Sequence, residues 1–248
     1  MPTCTTCKTL RALTLAIAFA MLPLVCEAKI FLLSVGISDY PGTQCDLRLP
    51  YNDAATIQWV YQQNRHASTR LLVNSQAKLA TVKSALRSMA TAATAGDIVV
   101  TFFSGHGIKG GFVCYDGVLS YDDIYTALAT CKSRNKMVFA DACYSGAMRR
   151  NSRTGASRGR INRNGSVMLF LSCRSNEVSI EMPSMTNGFF TYALQHGLRG
   201  SADYNHDRTI TAIELFNYVS KTVRQESGNR QHPVMWGRFP RNMAVMRW

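Results

Sequence analysis

Residues 99–107 read Val-Val-Thr-Phe-Phe-Ser-Gly-His-Gly, and residues 137–146 read Met-Val-Phe-Ala-Asp-Ala-Cys-Tyr-Ser-Gly. Each stretch is a strongly β-prone run that ends in a glycine-flanked turn with one reactive side chain, His106 in the first and Cys143 in the second. In an open parallel sheet, such strand ends collect at the carboxyl edge, where α/β proteins place their sites. A thiol and an imidazole that meet there form a cysteine nucleophile with its base or proton donor.

Around these two strands, strand-like and helix-like stretches alternate along the chain. Such alternation is typical of a mainly parallel sheet covered by helices on both faces, so the sequence predicts the α/β class. The predicted strands cover 30–37, 71–73, 97–103, 136–141 and 167–172, with a short edge strand at 233–236. The predicted helices cover 52–63, 78–91, 121–131, 189–198 and 212–223.

The first 28 residues are predicted to be a signal peptide outside the fold. Lys8 and Arg11 form a short positive region, an apolar run follows, and Cys26-Glu27-Ala28 offers small residues at the two positions that a signal peptidase reads. The run is shorter than the roughly 20 residues that span a bilayer. We expect a cleaved secretory signal, with an uncleaved anchor or a lipoprotein as the alternatives. Residues 29–248 then form a single domain that is secreted or periplasmic.

The charge of the chain is strongly basic: 28 Lys and Arg stand against 15 Asp and Glu, a formal net charge of +13. Such a balance is found in proteins that bind nucleic acid or an anionic surface. However, no basic helix interleaved with aromatic residues and no RNA-binding signature accompanies it. Six arginines lie within residues 149–163 among Ser, Asn, Gly and Thr. This segment predicts an exposed, mobile linker loop, and nucleic-acid binding is not expected.

The cysteines leave their oxidation state open. Of eight, five follow the predicted signal peptide: Cys45, Cys114, Cys131, Cys143 and Cys173. An odd number fits one free nucleophile and up to four cysteines that pair in an oxidising compartment, with three possible connectivities. The alternative is that all are reduced and buried. A zinc site is not expected, because no Cys-x-x-Cys remains after the signal.

The two motifs together resemble the caspase/metacaspase group of cysteine peptidases, and most closely its bacterial caspase-like proteins and metacaspases. Phe-Ser-Gly-His-Gly is followed 37 residues after its histidine by the cysteine of Asp-Ala-Cys-Tyr-Ser-Gly, without the Gln-Ala-Cys signature of animal caspases. The resemblance implies a three-layer αβα sandwich and a dyad in which Cys143 attacks and His106 protonates the leaving amine. It also implies an oxyanion hole formed by the backbone N–H groups of Gly107 and Cys143.

The same resemblance implies a pocket for a basic substrate side chain. Asp53, Ser104 and Asp141 stand at the positions that match the metacaspase pocket, although Pro50 stands where metacaspases often have a cysteine. Two carboxylates facing one guanidinium would select Arg or Lys at P1. The plainer interpretations are that Asn52-Asp53 caps and stabilises its helix and that Asp141 is a structural carboxylate at the end of its strand.

Calcium is predicted at two places, and each has a simpler alternative. Asp122 and Asp123 resemble the acidic pair of the metacaspase calcium site, but helix capping explains them as well. Oxygen side chains at Asp203, Asn205, Asp207 and Glu214 follow the spacing of an EF-hand-type loop. Arg208 occupies the position that normally requires Gly, and an Asx-turn is the simpler interpretation.

The functional prediction is a secreted or periplasmic cysteine endopeptidase that cleaves peptides and proteins after Arg or Lys and requires no cofactor. Self-cleavage in the arginine-rich loop is the further expectation, with an uncleaved solvated loop as its alternative. Two other classes stay open: a catalytically silent binding or regulatory module of the same fold, and a basic surface-binding protein. The oligomeric state is left open.

Overall fold

The computed structural model describes residues 27–142, 167–174 and 184–248 of the chain. Its centre is a sheet of six strands: β1 (Ile30–Gly36), β2 (Ala67–Val73), β3 (Ile98–Gly105), β7 (Asn135–Ala142), β8 (Val167–Leu171) and β10 (Val234–Trp236). These strands lie in the order β10-β8-β7-β3-β1-β2. All neighbouring strands are parallel except β10, which pairs antiparallel with β8 at one edge.

Five α-helices cover the two faces of this sheet in the described part of the chain. They are α1 (Pro50–Gln62), α2 (Leu79–Ala92), α3 (Tyr121–Ala129), α4 (Phe189–His196) and α5 (Ala212–Glu226). Helices α2 and α3 pack on one face, and α1, α4 and α5 pack on the other. The architecture is therefore the predicted αβα sandwich.

Each face has its own apolar core because side chains alternate along a strand. In β3, Val99 and Phe103 belong to the core under α2 and α3, whereas Val100 and Phe102 belong to the core under α1, α4 and α5. All of β3 is buried. A near-continuous apolar run in the sequence is what a central parallel strand with two covered faces requires.

Two small antiparallel sheets complete the fold, and the sequence analysis missed both. One joins β4 (Gly107–Ile108), β5 (Gly111–Cys114) and β6 (Gly117–Ser120) directly after the histidine strand. The other joins β9 (Thr209–Thr211) to β11 (Ala244–Arg247). Strands of two to four residues are too short to show a recognisable periodicity.

The start of α1 corrects one expectation. Asn52-Asp53 does not cap this helix, since α1 begins at Pro50 and its N-cap is Leu49, without a side-chain hydrogen bond. Proline is favoured at the first helical position because the N–H it lacks would have no partner there. The Asp53 carboxylate therefore does not cap α1 and has other hydrogen-bond partners.

Several expectations concern residues outside the described ranges, among them the signal peptide, Cys143 and the arginine-rich segment 149–163. Within those ranges, no helix is long and apolar enough to cross a membrane. No disulfide joins the four described cysteines, Cys45, Cys114, Cys131 and Cys173, to one another. Of these, Cys45 is exposed and the other three are buried.

Candidate active site

The structure brings Ser104 and Asp141 together at the carboxyl edge of the sheet. They are direct register partners on the parallel strands β3 and β7. Ser104 continues the row of Val100 and Phe102, so by alternation it lies on the face covered by α1 and α4. In the sequence, each residue stands two positions before a motif residue, Ser104 before His106 and Asp141 before Cys143; Cys143 itself is outside the described ranges.

Helix α1 supplies Asp53 to the same place. Its carboxylate accepts a hydrogen bond from the Ser104 hydroxyl at 2.8 Å. The close approach of helix and sheet needs Gly36, the register partner of Ser104 on β1, because a Cβ there would collide with the Pro50 carbonyl and lie 2.6 Å from the Ala54 Cβ. The three predicted pocket residues therefore converge, although they come from two strands and a helix.

Asp53 is a buried carboxylate with only 2 % of its surface exposed. Besides Ser104, it accepts hydrogen bonds from the Asn187 side-chain amide and the Gly188 backbone N–H, both at 3.0 Å. Among the described residues, no basic side chain forms an ion pair with it. Burial, and secondly repulsion from Asp141, raise the pKa of Asp53 to about 8, against hydrogen bonds that lower it.

The Asp141 carboxylate is bound by the beginning of α4. Thr191 donates to it from both its hydroxyl, at 2.9 Å, and its backbone N–H, at 3.2 Å. The same segment holds Asp53 through Asn187 and Gly188. Sequence reasoning missed these three residues, since they lie 50 to 135 positions from the carboxylates they hold and no motif marks them.

His106 follows β3 in the short turn that leads into β4, and its side chain is half-buried. Its Nε2 lies 2.7 Å from the carbonyl oxygen of Cys45. Because a carbonyl can only accept, Nε2 is the donor in this contact and carries a proton. The Tyr40 ring packs beside the imidazole with centroids 4.9 Å apart. The sequence analysis assigned no residue to orient His106, and these two contacts do so.

Gly107 lies in β4, where it faces Phe112 of β5. Val113 N–H donates to the His106 carbonyl at 2.9 Å, which makes Gly107 and Phe112 a non-hydrogen-bonded pair of the antiparallel ladder. The Gly107 N–H therefore points away from β5. This orientation is compatible with the predicted oxyanion role, whereas the second predicted donor, Cys143, is outside the described ranges.

Of the two carboxylates predicted as calcium ligands near α3, Asp123 takes part in helix capping. Ser120 and Asp123 form a reciprocal capping box at the start of α3, which confirms the capping alternative. Asp123 also pairs with Lys83 at 2.7 Å. Asp122 lies in the first turn of the same helix.

The second candidate segment likewise folds as a turn followed by a capped helix. Asp203 accepts hydrogen bonds from the backbone N–H groups of Asp207 and Arg208, and Asn205 accepts one from Asp207. Glu214 closes a capping box with Thr211 at the start of α5. In the described part of the chain, no three His, Cys, Asp or Glu side chains are grouped to hold a metal ion. Calcium binding stays a prediction.

The fold and the site together define a class: an αβα sandwich with a histidine and paired carboxylates at the carboxyl edge of its parallel strands. The caspase domain family matches residues 31–243, and the chain belongs to that family. The match covers most of the chain and confirms the resemblance drawn from the two motifs.

Solved structures agree with this fold. Protein GSU0716 from Geobacter sulfurreducens superposes with a TM-score of 0.65 at 19% identity, covering 89% of this chain and 97% of the other. Caspase-1 from Spodoptera frugiperda gives a TM-score of 0.61 at 14% identity, covering 89% of this chain and 88% of the other. At these identities the similarity shows the fold alone. No curated protein matches the chain.

Proposed function

We propose that this caspase-family chain is a cysteine endopeptidase that cleaves peptide bonds after Arg or Lys. The observation that carries the proposal is the buried Asp53 carboxylate beside Asp141, next to the histidine motif. A buried carboxylate without a cationic partner costs free energy, and an incoming guanidinium or ammonium group would offset that cost. A substrate aspartate would instead bring a further carboxylate to a place where burial and Asp141 already disfavour the charged form of Asp53.

The proposed chemistry uses His106 and Cys143 as a dyad. The Cys143 sulfur attacks the substrate carbonyl carbon while the thiol proton passes to His106, and the carbonyl electron pair moves onto oxygen, where the Gly107 N–H would stabilise it. Collapse of this intermediate breaks the C–N bond, His106 protonates the leaving amine, and a thioester remains. Water, deprotonated by His106, then attacks the thioester and releases the acid and the thiol. The Cys45 carbonyl would orient the imidazole by holding Nε2.

The proposal includes export. The basic, then apolar, N-terminal residues would direct the chain to the secreted or periplasmic space, and the mature enzyme would begin near residue 29.

The test is hydrolysis of short fluorogenic peptides that differ only at P1: Arg, Lys, citrulline and Asp, each with and without calcium. We expect turnover of the Arg and Lys peptides and little turnover of the citrulline and Asp peptides. Faster cleavage after Asp than after Arg would overturn the proposed specificity. Absence of turnover, together with no labelling of Cys143 by a peptide electrophile with Arg at P1, would overturn the proposed activity.

The raised pKa of Asp53 predicts a pH dependence of specificity. Because the pKa of Asp53 is raised to about 8, a growing fraction of Asp53 in the free enzyme is neutral as pH falls, and the attraction for a cationic P1 residue weakens. We expect the ratio of kcat/KM for the Arg peptide to that for the citrulline peptide to fall between pH 9 and pH 6. Titration of the dyad cancels in this ratio. The ratio should become flat with pH in Asp53→Asn; a flat ratio in the native enzyme would refute the assignment.

An enzyme that cleaves after Arg is also expected to cleave its own chain within residues 149–163. The segment offers six arginines among small polar residues and no acid. Intact-mass analysis of the purified mature protein should show a fragment pair that ends after one of these arginines, and Cys143→Ala should stay a single chain. Active enzyme that remains one chain would exclude processing as a requirement.

A further inference from the structure

One tyrosine hydroxyl bridges the backbone of His106 to the small sheet beside it. Tyr40 lies in the loop after β1 and is buried, with 5 % of its surface exposed. Its hydroxyl accepts a hydrogen bond from the His106 backbone N–H at 2.9 Å and donates one to the Val113 carbonyl at 3.2 Å. The contact spans 66 residues of sequence.

This hydroxyl takes the place of a ladder hydrogen bond. Gly107 pairs with Phe112, so His106 and Val113 form the next pair, which in a regular antiparallel ladder exchanges two N–H···O bonds. One of these bonds is present, from Val113 to His106. The other bond would run from the His106 N–H to the Val113 carbonyl, and here the Tyr40 hydroxyl is inserted between the two groups. The backbone of His106 is therefore bound to β5 directly through its carbonyl, and through the Tyr40 hydroxyl at its N–H.

The residue before the histidine leaves room for the hydroxyl. Gly105 has φ of +151°, a conformation that side chains rarely adopt, and a Cβ there would lie 2.7 Å from the Tyr40 hydroxyl oxygen. Glycine therefore allows both the turn that ends β3 and the approach of the tyrosine.

The Tyr40 loop also holds the histidine side chain. The Tyr40 ring packs beside the imidazole, and Cys45, from the same loop, accepts at Nε2. The loop is closed by hydrogen bonds from Tyr40 N–H to the Asp46 carboxylate at 3.0 Å and from Leu47 N–H to the Ser38 carbonyl at 2.8 Å. One closed loop thus contacts the backbone N–H, the ring and the Nε2 of His106.

We propose that Tyr40 is the positioning residue for His106, and that it sets the angle at which the imidazole meets the reacting groups. This inference rests on the proposed peptidase function. Proton transfer to a leaving amine requires hydrogen-bond geometry, and a displacement of about 1 Å costs roughly 100-fold in rate.

Burial raises the pKa of Tyr40. Its hydroxyl therefore stays protonated at working pH and can donate and accept at the same time.

The first test compares two Tyr→Phe variants. Tyr40→Phe keeps the ring but removes the bridging hydroxyl. Tyr61→Phe is the matched control, because Tyr61 is fully buried and its hydroxyl has no hydrogen-bond partner among the described residues. We expect kcat for the Arg peptide to fall roughly 10- to 100-fold in Tyr40→Phe, with KM within about threefold of the native value. Tyr61→Phe should match the native enzyme.

The second test needs no turnover, which separates this inference from the proposed function. Hydrogen–deuterium exchange of the His106 amide should be slow in the native protein and clearly faster in Tyr40→Phe, but unchanged in Tyr61→Phe. If the native protein hydrolyses nothing, the peptidase proposal fails while the exchange result still decides how Tyr40 holds His106. The positioning role would be overturned if Tyr40→Phe kept the native kcat, or if Tyr61→Phe lost as much kcat as Tyr40→Phe. It would also be overturned if hydrogen–deuterium exchange of the His106 amide were unchanged in Tyr40→Phe.

Discussion

Replacing Cys143 or His106 by alanine is expected to reduce hydrolysis of the Arg peptide by roughly 10³-fold or more, because each removes a partner of one chemical step. The losses should not add: without the nucleophile, the proton donor has nothing to act on. The double variant should therefore be about as slow as the slower single variant, as measured by kcat/KM under identical conditions.

The control is that these variants remain folded. The His106 side chain is half-buried, and its hydrogen bond joins it to the carbonyl of the exposed Cys45, so its removal leaves both apolar cores intact. Circular dichroism and the melting temperature of His106→Ala should match those of the native protein within a few degrees. Turnover retained in a folded Cys143→Ala protein would exclude the dyad.

The second large effect is expected when Asp53 or Asp141 is replaced by asparagine. In Asp53→Asn, activity should fall while stability rises. Asp53→Asn should raise the barrier for Arg peptides by about 1.5–3 kcal/mol, the contribution of a hydrogen bond to a charged group. Asp141→Asn should cost a similar amount. The citrulline peptide should be affected far less, since it carries no charge for the pocket to bind.

We expect Asp53→Asn to be more stable than the native protein because the pKa of Asp53 is raised. A carboxyl with a raised pKa binds its proton more tightly in the folded state than in the unfolded state, so native stability falls as pH rises from about 4 to 8. Asparagine removes this ionisation. It keeps an oxygen for Asn187 and Gly188 and offers an amide to Ser104. The advantage of Asp53→Asn in free energy of unfolding should therefore grow across that range.

Denaturant unfolding at pH 5 and pH 8.5 measures this difference directly. Glu226→Gln removes one exposed carboxylate from the end of α5, far along the chain from the pocket, and is the matched control for the change in net charge. It should leave both the specificity ratio and the pH dependence of stability unchanged. An Asp53→Asn protein that is less stable at pH 8.5 than the native protein would contradict the burial and repulsion assigned to Asp53.

Local sequence was sufficient for most of the central sheet and its helices. The runs at 99–103 and 137–140 are apolar on both faces, and only a strand between two helical layers requires that pattern. The edge strand at 233–236 was also predicted and is present as β10. The motif pair was specific enough to indicate the family, because two short patterns at a given spacing seldom coincide by chance.

Some elements could not be predicted from the sequence because their residue pattern is weak or ambiguous. The strands β4, β5 and β6 have two to four residues each, and their glycines resemble loop sequence. Asn52-Asp53 was interpreted as a helix cap because Asn and Asp are common caps, but Pro50 already satisfies the start of the helix. The helix therefore begins two residues earlier than the Asn52-Asp53 pattern predicts, because Pro50 is favoured at the first helical position.

By itself, the sequence determined the order of strands and helices, the edge at which the site forms, and the residue types available for chemistry. Only the tertiary structure decided which groups hold those residues. Asn187, Gly188 and Thr191 bind the two carboxylates, and Tyr40 and the Cys45 carbonyl bind His106. The physical reason is that hydrogen bonds and the loss of solvent depend on distances between segments far apart in the chain. The raised pKa of Asp53 exists only once those segments have packed around it.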